Sequence, residues 1–119
     1  MPIHELAVAV RRPDDVPVLE LVGDVDANAE AALQAAWDDA ALGARSLILD
    51  FSRTSYINST GIALIVQLLA NARARGIELT ARGLSAHYRT IFEITRLADF
   101  LAIEPDEESA LRGAGRSST

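Results

Sequence analysis

Asn58-Ser59-Thr60-Gly61 places an amide, two hydroxyls and a glycine between a strand-like run, "SLILDFSRTSYI", and an almost wholly apolar segment, "IALIV". Side chains of this kind at a helix start accept hydrogen bonds from its first free N–H groups. A serine there is also a modifiable hydroxyl at the C-terminal edge of a strand, where the loops of α/β sheets do functional work. The residues alone leave both roles open. Either Ser59 or Asn58 caps the helix while Thr60 supports the turn, or Ser59 carries the function. Other candidates for chemistry are sparse. His4 and His87 stand far apart in the chain, neither with a carboxylate or serine at a motif spacing, and two histidines without a cysteine make a poor zinc set. Asp24, Asp26 and Asp50 fall at loop or strand ends, where they can gather at one sheet edge or serve turns and caps. No Gly-x-Ser-x-Gly elbow, Walker loop or dinucleotide fingerprint occurs. Neither enzymatic activity nor a metal or cofactor is expected.

Composition narrows the field further. The 119 residues suffice for one domain with its own core. With no cysteine there is no disulfide framework and no thiol catalysis. All 11 basic residues are arginine, so a Schiff-base or P-loop lysine is absent. A formal net charge of -6 argues against nucleic acid or an anionic membrane as the main partner. Charges interrupt "MPIHELAVAVRRPDD" where a signal peptide needs an apolar run, and "GIALIVQLLANA" is too short and too polar to span a bilayer. A cytoplasmic protein without membrane insertion is expected, so the glycosylation sequon formed by Asn58-Ser59-Thr60 is given no role.

The elements that must position the motif follow from periodicity. "HELAVAVRR" and "VLELVG" alternate as half-buried strands joined by the turn "PDDVP", which predicts a hairpin ended by Gly23-Asp24-Val25-Asp26. "NAEAALQAAWDDAAL" is helical over about Asn28 to Leu42, with Ala29, Leu33, Ala36, Trp37 and Ala40 on one face, Asp26 or Asn28 as cap and Gly43 as the left-handed stop. "SLILDF" reads as a strand buried on both faces. A second helix from Thr60 to Gly76, the strand "IELTA", a third helix capped by Ser85, the short strand "FLAIEP" and a last helical turn or two complete an α/β order. In the second helix Ile62, Ile65, Val66, Leu69 and Ala72 form one stripe toward the sheet. Leu64, Gln67 and Leu68 fall beside Thr60, Asn71 and Arg75, which suggests an exposed apolar patch for a partner unless another helix covers it.

Three segments, "LELVGDVDANAEAAL", "LILDFSRTSYINSTGIALIV" and "YRTIFEITRLADFLAI", spread over Val18–Arg112, resemble the STAS domain in its single-domain form as a bacterial anti-sigma-factor antagonist. The resemblance implies an α/β fold, with a mixed sheet of about five strands and about four helices packed mainly on one face. One domain would cover residues 1–113, with a flexible tail over 114–119. It also implies that Ser59 is the phosphoacceptor, in a loop supported by Asn58, Thr60 and Gly61. A partner would bind Asp24, Asp26, Leu64, Gln67, Leu68 and Asn71. That partner would be an anti-sigma factor with serine kinase activity, and a PP2C-type phosphatase would reverse the modification. Unphosphorylated antagonist binds; phosphorylated antagonist lets go. Asn58 departs from the family's usual aspartate, keeping its size and acceptor oxygen but losing its charge. Related STAS chains instead serve as cytoplasmic accessory subunits of membrane transport assemblies, including lipid-transport ATPases. That role would use the helix over residues 60–75 for docking without phosphate.

Overall fold

Alternating small and branched side chains build the first hairpin. β1 (Ala7–Arg11) packs Val8 and Val10 against the core and pairs antiparallel with β2 (Val18–Val25) across a turn at Pro13–Asp15. The computed structural model describes the backbone of residues 5–117 and the side chains of residues 5–113. His4 and the last two residues of the expected tail lie outside the described residues.

β2 runs further than the sequence suggests. Gly23-Asp24-Val25 do not end it, because Thr54–Ile57 forms a separate strand, β4, that supplies parallel partners after a register shift between Gly23 and Asp24. The run "SLILDFSRTSYI" is therefore two strands. β3 (Ser46–Asp50) and β4 are separated by a turn in which Asp50 Oδ1 accepts from the Ser52 N–H at 2.9 Å and the Phe51 carbonyl accepts from the Thr54 N–H at 3.0 Å. Among the described residues the sheet has six strands, in the order β1-β2-β3-β5-β6 with β4 on β2. β5 (Glu78–Arg82) and β6 (Ala102–Glu104) extend it in parallel, so one hairpin and several parallel crossovers make the mixed sheet.

The helices are α1 (Glu30–Ala41), α2 (Ser59–Ala74), α3 (Ala86–Ile94) and α4 (Glu107–Ser117). A short 3-10 turn at Ala27–Ala29 leads into α1, capped by Asp26, whose Oδ1 accepts from the Asn28 N–H at 2.9 Å. Gly43, at φ +70°, terminates that segment as expected. Leu19, Leu21, Leu47, Leu49 and Leu79 face one side of the sheet, where α1, α2 and α3 contribute Trp37, Leu64, Ile65, Leu68 and Phe92. On the opposite side Val18 and Ile48 meet Ala110 of α4. Helices thus sit mainly on one face. α4 is longer than a turn or two and carries the chain as helix to Ser117, into the expected tail.

Charge ties α4 to the sheet. Asp50, 2% exposed, accepts from Arg82 Nη1 at 2.9 Å and lies 3.6 Å from Arg11 Nη2. Arg11 also reaches Glu20 at 3.1 Å and Glu107 of α4 at 2.6 Å. Burial pushes the Asp50 carboxyl up, but hydrogen bonds from Ser52 and the Arg82 guanidinium outweigh it and hold the carboxyl below its ordinary value. Asp50 therefore does not gather with Asp24 and Asp26; it anchors an ion-pair network.

Replacing Asp50 by Asn leaves two arginines facing a neutral amide and is expected to cost about 3 kcal/mol at pH 7, read by urea unfolding. Because the native carboxyl titrates below its unfolded value of about 3.9, this contribution is present above that pH. It is lost as pH falls through the lowered native pKa, so wild type and Asp50→Asn should converge in acid. Equal stability at pH 7 would show the network to be decorative.

Candidate functional site

The junction of β4 with α2 is held from several directions. Asn58, in extended conformation, is the N-cap: its Oδ1 accepts from the Gly61 N–H at 2.8 Å and its carbonyl from the Ile62 N–H at 2.9 Å. Its own N–H donates to the Val25 carbonyl at the end of β2, at 3.2 Å. One residue earlier, the Ile57 N–H donates to the phenol oxygen of Tyr88 on α3 at 2.9 Å. Gly61 fits because the helix presses on the β2 terminus. A Cβ at this position would lie 1.9 Å from the Val25 carbonyl oxygen and 2.7 Å from its carbon, distances no side chain tolerates.

Asn58 does the capping, so Ser59 does not. Ser59 is the first residue of α2 and is exposed, and its hydroxyl has no hydrogen-bond partner among the described residues. Thr60 is likewise exposed. Asp24 and Asp26 flank Val25, the residue that receives the turn: Asp24 pairs with Tyr56 across β2 and β4, and Asp26 caps the 3-10 turn. The structure thus brings Asp24, Asp26, Asn58, Ser59, Thr60 and Gly61 to one place.

The expected partner patch on α2 needs correction. Leu64 and Leu68 are 6% and 3% exposed and belong to the core, whereas Val66 is 44% exposed and Ile62 half-buried. The inward stripe is Gly61, Leu64, Ile65, Leu68, Leu69 and Ala72. α1 lies along the flank that carries Leu64 and Asn71; Trp37 Nε1 donates to Asn71 Oδ1 at 2.8 Å, so that carbonyl is already committed. Gln67 remains exposed. What faces outward from Ser59 is a low strip of Ala63, Val66, Gln67 and Ala70, with Tyr56, 53% exposed, near its start. Sequence reasoning missed Tyr56, Val66 and Tyr88. Alanines at 63, 70 and 74 were the available signal for the outer face of α2, because an inward stripe built on Leu64 and Leu68 leaves them on the other side.

Among the described residues no group of three or more His, Cys, Asp or Glu side chains is placed to hold a metal. No helix among them is long and apolar enough to cross a membrane.

Comparison with known proteins places this geometry. A family model described as "Mlab, STAS domain" matches residues 8–104. The anti-sigma-B factor antagonist of Listeria monocytogenes is 38% identical over 58 residues, which are 49% of this chain and 51% of that protein. The chain thus spans about half the length of the curated relatives it matches. Among solved structures, an anti-sigma factor antagonist from Mycobacterium paratuberculosis has a TM-score of 0.74 at 22% identity, covering 92% of this chain and 93% of its own. The Bacillus cell fate determinant SpoIIAA in its phosphorylated form has a TM-score of 0.68 at 21% identity, covering 89% of this chain and 98% of its own. At these identities the structural likenesses establish the fold alone. With a mixed six-stranded sheet, a glycine-tight helix start after β4 and a family match over most of its length, the chain belongs to the STAS domain family.

Proposed function

We propose that this chain is an anti-sigma-factor antagonist whose grip on its anti-sigma factor is released by phosphorylation of Ser59. One observation carries the reading: Asn58 performs the capping, leaving an exposed hydroxyl at the first position of α2 with no structural duty among the described residues. The names of the Listeria and Mycobacterium relatives support the class of function, and the existence of SpoIIAA in a phosphorylated form supports the switch.

Electrostatics suits such a switch. A phosphate on Ser59 adds about 1.5 to 2 negative charges and three acceptor oxygens. At a helix N-terminus the backbone N–H groups and the helix dipole favour it. The neutral Asn58 spares it a like charge that aspartate would impose. The fold therefore survives, and the cost falls on the interface. Like charges about 4 Å apart at an effective dielectric near 20 repel by about 4 kcal/mol. About 2.7 kcal/mol already weakens binding a hundredfold. The docking surface in this reading is Tyr56, Ile62, Ala63, Val66 and Gln67, bordered by Asp24 and Asp26. Leu64 and Leu68 are buried inside the domain, and Asn71, though exposed, has its carbonyl held by Trp37. The partner is an anti-sigma factor with serine kinase activity, a PP2C-type phosphatase restores the hydroxyl, and the role places the protein in the cytoplasm.

Incubation with the kinase that co-purifies with the chain, plus ATP, should add one phosphate to wild type and none to Ser59→Ala, by mass spectrometry. Phosphorylation or Ser59→Asp should weaken partner binding at least about a hundredfold in calorimetry. A transport ATPase as the co-purifying partner, with no phosphate uptake, would overturn this function in favour of the accessory-subunit role.

Val66→Lys should weaken the same binding tenfold or more while stability stays within about 0.5 kcal/mol, since the side chain is exposed. Unchanged affinity would move the docking surface elsewhere. Asn58→Asp should keep the cap and raise the second ionisation of the phosphoserine relative to the Asn58 protein, because a neighbouring carboxylate disfavours the dianion. A phosphorus NMR titration reads the direction.

A further inference from the structure

We infer that Tyr88 is a positioning residue for Ser59: its phenol ties α3 to the turn that presents the hydroxyl. The inference rests on the phosphoacceptor reading and names what holds that acceptor in place. Ile57 is buried, and its N–H is satisfied by the Tyr88 phenol oxygen at 2.9 Å rather than by a sheet neighbour. Two residues later comes Ser59, with Asn58 between them fixed to Val25 and Gly61. The turn is thus tied to β2 on one side and to α3 on the other.

Tyr88 is itself well placed to act as a strut. It lies in the first turn of α3, where Ser85 Oγ accepts from the Tyr88 N–H at 3.3 Å, and its ring packs against the main core and edge-on to His87 at 4.9 Å. Phe51 of the β3–β4 turn packs edge-on against Phe92 of α3, and beside that contact runs an open cleft of about 190 Å³ lined by Ser52, Thr54, Leu84 and Tyr88 among others. The phenol hydrogen bond spans this gap. Without the hydroxyl, water entering the cleft can satisfy the Ile57 N–H, and the domain stays folded. The turn, however, loses its tether to α3.

Phosphoryl transfer makes this tether consequential. The Ser59 Oγ–P bond forms as the β,γ-bridging P–O bond of ATP breaks, ADP leaves with the electron pair, and the hydroxyl proton passes to a base of the kinase. A transfer of this kind depends steeply on where the attacking oxygen stands, and a displacement near 1 Å costs up to about a hundredfold in rate.

The full-length chain and Tyr88→Phe are compared by amide hydrogen exchange and by phosphorylation kinetics with the co-purifying kinase. In wild type the Ile57 amide should be protected like the amides of the sheet. In Tyr88→Phe, exchange at Ile57 and Asn58 should accelerate at least tenfold while that of Leu49 in β3 stays unchanged. The kcat for phosphate uptake should fall about tenfold with KM within about twofold, because the outer face of α2 is intact. An unprotected Ile57 amide in wild type, or a phenylalanine variant with wild-type kcat, would overturn the role of Tyr88 and leave Ser59 as acceptor. A protected wild type that takes up no phosphate would instead overturn the acceptor reading and, with it, the purpose assigned to the strut.

Discussion

The carbonyl of Val25 is where the sheet and α2 meet. It accepts the Asn58 N–H and leaves no room for a side chain at Gly61. Both conditions force α2 to start directly against the end of β2, with its first residue turned outward. Capping by Asn58, exposure of Ser59 and the proximity of Asp24 and Asp26 all follow from this approach. A glycine here is thus a packing requirement, unlike Gly43, whose role is a left-handed backbone angle.

The two faces of the sheet are stabilised by different physics. On one, leucines from three strands pack against three helices, a broad apolar layer whose contribution scales with buried area. On the other, a small cluster of Val18, Ile48 and Ala110 is bordered by Arg11, Glu20, Asp50, Arg82 and Glu107. Only Asp50 of this network is fully buried, and its partly exposed partners link α4 to β1, β2 and β5 around it. The network fixes α4 on the side of the sheet away from Ser59.

Much of this was legible from local pattern. The hairpin, the doubly buried β3 and the order of the first three helices stand where alternation, helical spacing and cap residues place them, whereas α4 runs longer than the turn or two expected. The break within "SLILDFSRTSYI" was not, because its cause is the Asp50 side chain folding back on Ser52, in a stretch otherwise rich in strand formers. The rotation of α2 was not either. Apolar residues at 62, 64, 65, 66, 68 and 69 allow more than one stripe, and the position of α1, marked by Trp37 and Asn71, decides between them. Asn58 and Ser59 are both good caps, so sequence alone could not say which hydroxyl or amide is spent and which is free. Tyr88 sits 31 positions from Ile57, and no short-range pattern announces such a contact.

The indole of Trp37 is the only one in the chain, and it is fully buried with its N–H held by a side chain of α2. Its emission is therefore that of a shielded chromophore coupled to the helix proposed to carry the partner. Any event that shifts α2 against α1 changes the indole's surroundings and is visible optically, with no label attached. The domain contains its own probe of strain between those helices.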